Sequence, residues 1–155
     1  MQERVDITIE NQIAHVRMVR ADKMNALDND MMEAMVAAGE RLKSEAGLRA
    51  IVLSGEGRAF CAGLDMSNFA RMAESADDKS AVKTVEERGD DPGTFAQKTA
   101  YVWKRLPVPV ITAIHGVAYG AGAQVALGGD IRIAAPDVKM SILFISHDLG
   151  VVNKI

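Results

Sequence analysis

Two short stretches of this chain have the residue types to hold a developing negative charge: A-F-C-A-G-L-D at 59–65 and H-G-V-A-Y-G-A-G-A-Q at 115–124. Each places glycine or alanine beyond a buried strand, where side chains are too small to shield the backbone. Exposed N–H groups there are preorganised donors, and a helix starting just beyond adds a favourable dipole. The chemistry they suit is stabilisation of an enolate oxygen, such as that of a thioester, where losing one donor costs roughly 100- to 1,000-fold in rate. Taken alone, the same glycines serve equally well for tight turns or close helix packing.

Other chemistries are poorly supplied. There is no G-x-x-x-x-G-K-[ST] phosphate loop, and G-A-G-A-Q-V at 120–125 lacks the third glycine of the dinucleotide fingerprint. Cys61, the single cysteine, has no histidine tied to it by a recognisable motif and reads as a small buried side chain. His15, His115 and His147 have no metal-ligand spacing, so no metal is expected. Asp77-Asp78, Glu86-Glu87 and Asp90-Asp91 read as solvated charge, and Met31, Met32 and Met35 as core filling.

The elements that must position the two stretches follow from periodicity. Val5, Ile7 and Ile9 alternate with polar residues, and after Asn11-Gln12 the alternation resumes through Ala14, Val16 and Met18, which predicts a hairpin. Asp28 is a suitable N-cap for a helix running to about Gly47. Residues 50–54 read as a buried strand, and Met66 to Arg71 as the start of a short helix. The charged segment 74–93 reads as a mobile surface loop. Phe95, Thr99, Val102 and Leu106 stripe a helix that Pro107 and Pro109 stop. A strand over 110–114, a helix from Gly120 to Leu127 closed by Gly128-Gly129, and a strand over 131–134 complete an α/β order.

Composition sets the outer bounds. With 155 residues, 48% hydrophobic and 25% charged, the chain has the balance of one globular domain. A formal net charge of −3 with interspersed signs offers no basic face for nucleic acid and no polybasic membrane arm. No run approaches the length of a membrane span, and Met1 to Glu10 lacks the pattern of a secretory signal, so a cytoplasmic location is expected.

K-M-N-A-L-D at 23–28, G-R-A-F-C-A-G-L-D at 57–65 and the long stretch from Pro107 to Ala134 resemble, in order and at suitable separations, the successive signatures of the crotonase superfamily, the enoyl-CoA hydratases and isomerases. The resemblance covers residues 1 to about 142. It implies a spiral of ββα units, assembly as trimers or hexamers, and action on acyl-CoA, with no cofactor beyond the coenzyme A of the substrate. Carried over by position, the N–H groups of Leu64 and Ala121 would form the oxyanion hole. Lys23, Met24 and Ala26, together with Ala62, Gly63, Leu64, Asp65, Gly120 and Ala121, would line the substrate site, and Lys23 stands where it would meet phosphate charge.

Two departures stand out. Family hydratases carry a glutamate three residues beyond the second donor, where this chain has Gln124; an amide cannot serve as a general acid or base, although it can orient water. Phe144 stands where the resemblance implies a second family glutamate. The tail, 143–155, resembles instead the switch-histidine segment of an ABC transporter ATPase, in which His147 would meet a γ-phosphate. Without a phosphate loop it implies no ATPase activity. The expectation is a family domain over 1–142, C-terminally incomplete and joined to an unrelated tail. It is either an acyl-CoA enzyme or an inactive fragment that binds acyl-CoA weakly or associates with other subunits.

Overall fold

The computed structural model describes residues 3–67 and 95–142. In chain order these form β1 (Val5–Glu10), β2 (Ile13–Met18), a 3-10 turn (Ala21–Lys23), α1 (Asn29–Lys43), β3 (Ala50–Gly55), α2 (Phe95–Tyr101), a second 3-10 turn (Val102–Arg105), β4 (Val110–Ile114), β5 (Val117–Tyr119), α3 (Ala121–Gly128), β6 (Ile131–Ala134) and β7 (Lys139–Ser141). One five-stranded sheet has the order β1-β2-β3-β4-β6, antiparallel only between β1 and β2, and a two-stranded parallel sheet pairs β5 with β7. The architecture is α/β, as the alternation of elements requires.

The expected hairpin forms around Asn11 and Gln12, both at positive φ (50° and 67°), the two-residue turn whose twist matches its strands. Asp28 caps α1, its Oδ1 accepting the Met31 N–H at 2.8 Å. The helix ends earlier than expected, at Lys43 rather than near Gly47. Leu42 is its last buried residue, and the Ser44 N–H and hydroxyl turn back onto the Arg41 carbonyl. Behind the sheet, Met31, Met35 and Leu42 of α1 pack with Val16, Met18, Ile51, Leu53 and Val110, so the methionine stripe is core. Each such burial stabilises by roughly 1.5–3 kcal/mol.

The stripe 95–106 divides into α2 and a tighter 3-10 turn. Trp103 is buried and its Nε1–H donates to the Thr99 carbonyl at 3.0 Å, while Pro107 keeps Leu106 extended. The sequence pattern contains no signal for β5 and β7, which are three residues each. At the other edge of the sheet β6 is exposed, with Ile131 and Ile133 at 51% and 62%. Among the described residues no helix is long and apolar enough to cross a membrane. The segment 74–93, the part of the expected short helix beyond Ser67 and the tail 143–155, including Phe144, His147 and Asp148, lie outside the described residues.

Candidate functional site

Three backbone segments that are distant in sequence are laced together beyond the ends of β2, β3 and β4. The stretch 24–28 lies along 61–65: the Ala62 N–H donates to the Met24 carbonyl (2.9 Å), the Leu27 N–H to Gly63 (2.8 Å) and the Asp65 N–H to Leu27 (3.0 Å). On its other side, Cys61 pairs with β5, its N–H donating to Val117 and its carbonyl accepting from Tyr119, each at 3.1 Å. The two glycine-rich stretches singled out from sequence are therefore neighbours, and α3 begins against them.

At Gly63 the two stretches touch through their backbones. Its φ is +95°, and a Cβ there would stand 2.7 Å from the Tyr119 carbonyl oxygen and 3.8 Å from the Ala121 amide nitrogen. The peptide carrying the Leu64 N–H thus lies against the one carrying the Ala121 N–H. Neither amide donates a hydrogen bond to a described residue, whereas the flanking Ala62, Asp65 and Gly120 amides all do. Ala121 is the first residue of α3, so its N–H is one of the helix's unpaired donors. Gly122 has no room for a side chain, since a Cβ would stand 2.8 Å from Cys61 Sγ, and this fixes how closely α3 approaches.

A charged clamp not evident from sequence holds the first two segments. Arg20, between β2 and the first 3-10 turn, sends Nη1 to Asp65 Oδ2 (2.6 Å) and to the Ala26 carbonyl (2.9 Å), and Nη2 to Asp28 Oδ2 (3.3 Å). Arg4 Nη2 reaches the same Asp28 oxygen at 2.7 Å. Asn25, fully buried at φ 54°, accepts the Arg20 N–H and donates Nδ2–H to the Glu56 and Ala59 carbonyls, each at 2.9 Å. The sequence signal that could have found these residues is a polar run, 20–25, leading directly into the buried Ala26 and Leu27.

Asp65 is held at a pKa of about 2, below the usual 3.8, first by the Ser67 N–H and hydroxyl and then by Arg20. In the folded protein it stays ionised down to about pH 2, while in the unfolded chain it protonates near pH 4, so acid favours the unfolded state. Its contribution to stability is complete above about pH 4 and is lost as pH falls towards 2. Urea titrations across this window are expected to show a declining midpoint that Asp65→Asn flattens.

Cys61 is fully buried and its thiol is pushed up to about 11 by that burial, partly offset by the Gly63 N–H. The thiol donates to the Asn25 carbonyl at 3.1 Å. At pH 8 only about one thiol in a thousand is ionised, which does not suit a nucleophile. Native protein is therefore expected to resist iodoacetamide at pH 8 and to react promptly in urea; rapid native labelling would contradict this placement.

The remaining residues expected from sequence fall around this junction. Lys23 and Gly120 are exposed, Met24 is half-buried in the left-handed turn, and Ala26 is buried beneath it. Gln124 is exposed one turn along α3 from Ala121, roughly 4.5 Å along the helix axis. It lines a cleft of about 410 Å³ between α2 and α3 with Lys98, Tyr101, Lys104 and Leu127. Among the described residues no cluster of His, Cys, Asp or Glu is arranged to hold a metal ion.

Comparison with known proteins adds a family model, Enoyl-CoA hydratase/isomerase, which matches residues 8–153 and so runs through most of the tail as well. The Bacillus subtilis "probable enoyl-CoA hydratase" is 32% identical over 135 residues, covering 85% of this chain and 47% of that protein. The 1,2-epoxyphenylacetyl-CoA isomerase of Escherichia coli is 31% identical over 144 residues, covering 93% and 52%. A crystal structure from Streptomyces coelicolor A3(2), of a protein assigned as an enoyl-CoA hydratase, superposes with a TM-score of 0.72 at 31% identity over 89% of this chain and 47% of that one. The chain spans about half the length of the curated relatives it matches.

Proposed function

Because this chain belongs to the enoyl-CoA hydratase/isomerase family, whose members act on acyl-CoA thioesters, we propose that it binds an acyl-CoA and stabilises the thioester enolate between the Leu64 and Ala121 N–H groups. The observation that carries this reading is the approach of Gly63 to Ala121, which brings together two amides that donate to none of the described residues. Both belong to preorganised structure, one at a β-bridge and one at a helix start, so they need little reorganisation as charge develops. The thioester carbonyl is the electron sink, and the chemistry needs no metal or redox group. Met24, Ala26 and the stretch 62–65 form the floor for the coenzyme arm, with the exposed Lys23 at its phosphate end.

Proton transfer is where this chain differs from a two-glutamate hydratase. Gln124 stands on α3 beyond the donor Ala121 and faces the α2–α3 cleft, where its amide orients water or the acyl group but exchanges no proton. Isomerisation of a double bond or another enolate reaction fits this arrangement as well as hydration does. The amide also favours a second reading, an acyl-CoA binder without turnover. In either reading the exposed Ile131 and Ile133 of β6 support an association surface, in keeping with assembly as trimers or hexamers.

Calorimetry with crotonyl-CoA, run beside loss of its enoyl-thioester absorbance, separates the readings. Binding with turnover identifies an enzyme, and binding without turnover identifies the binder. Absence of acyl-CoA binding would contradict both.

A further inference from the structure

Among the charged groups of the described residues, only Arg20 joins the two segments on which the proposed donor Leu64 depends. One guanidinium nitrogen bonds the Asp65 carboxylate and the Ala26 carbonyl at 2.6 and 2.9 Å, and the other lies 3.3 Å from Asp28. Its side chain is 13% exposed, and those of its two carboxylate partners are 14% and 13% exposed, so the three charges are largely withdrawn from water. Asp65 directly follows Leu64. On the other side of Leu64, the Gly63 carbonyl accepts from Leu27, which directly follows Ala26.

We infer that Arg20 is a positioning residue: by gripping Asp65 and Ala26 at once it fixes the peptide plane of Leu64, and so aims that N–H at the thioester oxygen. The inference rests on the oxyanion reading above. Its chemistry demands arginine, because three acceptors in different directions match a planar fork of donors and not a single ammonium. Removing the guanidinium leaves Asp28 and Asp65 facing each other without the cation they share. Asp28 keeps Arg4 and its cap on Met31, whereas the Asp65 carboxylate keeps only its local bonds to Ser67 and the Asp65 backbone its N–H bond to Leu27, so the loosening falls on the Leu64 side.

The test uses acetoacetyl-CoA, whose enolate has its own near-ultraviolet band, against coenzyme A, which has no thioester. The ratio of their affinities reports the oxyanion donors, and a general loss of fold or of coenzyme binding does not change it. Arg20→Met and Arg20→Lys are expected to lower the ratio by about 10- to 100-fold, the scale of a small misplacement of a catalytic group, with parallel loss of the enolate band. Arg4→Met, which removes the other cation on Asp28 without touching Asp65, is the control and should hold the ratio. Where Arg20→Met fails to fold, Asp65→Asn breaks the clamp from the other side while Oδ1 still accepts the Ser67 N–H, and the same fall is expected. An unchanged ratio in the Arg20 or Asp65 variants, or an equal fall in Arg4→Met, overturns the positioning role alone. A wild-type chain that forms no enolate band overturns the oxyanion reading and this inference with it.

Discussion

Replacing Gly63 with alanine is expected to lower enolate stabilisation by at least roughly 100-fold, the worth of one oxyanion donor. The new Cβ would meet the Tyr119 carbonyl at 2.7 Å, on a backbone whose φ of +95° already disfavours any L side chain. Neither partner can turn aside, because Tyr119 is fastened to Cys61 and Gly120 to the Ser141 carbonyl. Relief therefore comes from separating 63–64 from the start of α3, and that moves the two donors apart. Backbone strain adds a stability loss of about 1–3 kcal/mol. Gly47→Ala provides the control: its φ is +83°, and its Cβ would meet nothing within 4 Å. That variant should lose stability while keeping its affinity for acetoacetyl-CoA; equal affinities in wild type and Gly63→Ala would show that the two amides do not act on the ligand.

Gln124→Glu is expected to have an effect of similar size in the opposite direction. A carboxylate one helical turn from the Ala121 amide restores the group that exchanges a proton, a role worth roughly 100- to 10,000-fold. Hydration of crotonyl-CoA should rise by at least about 100-fold and acquire a titration in the carboxylate range that the wild-type chain lacks. Because Gln124 is exposed, the new charge incurs little desolvation cost and the fold should tolerate it. Tighter or weaker binding with no gain in turnover would mean that proton transfer is not what limits this chain.

The candidate site is legible in sequence to the extent that it is built from backbone. Small residues at 62–63 and 120–123 signal exposed amides, and their register with the strands before them places those amides at one end of the sheet. Asp28 was legible as a cap because a capping side chain acts within three residues of itself. Arg20 and Asn25 were not, since they work through partners 45 and 34 residues away, Asp65 and Ala59, and a polar run in a loop looks the same whether it is solvated or clamped. The strands β5 and β7 escaped for a related reason. Three residues give no readable alternation, and their pairing depends on Gly116 and Gly120 meeting Lys139 and Ser141 across the fold. The early end of α1 reflects a serine able to close the helix locally before the glycine three residues further on.

The measurement that bears most directly on the proposed chemistry is a titration of the whole chain with acetoacetyl-CoA at neutral pH, followed by its enolate absorbance and compared with coenzyme A by calorimetry. Two converging amides predict a saturable enolate band and an affinity at least about 100-fold above that of coenzyme A. Binding of both ligands with equal affinity and no enolate band would contradict an oxyanion hole at Leu64 and Ala121.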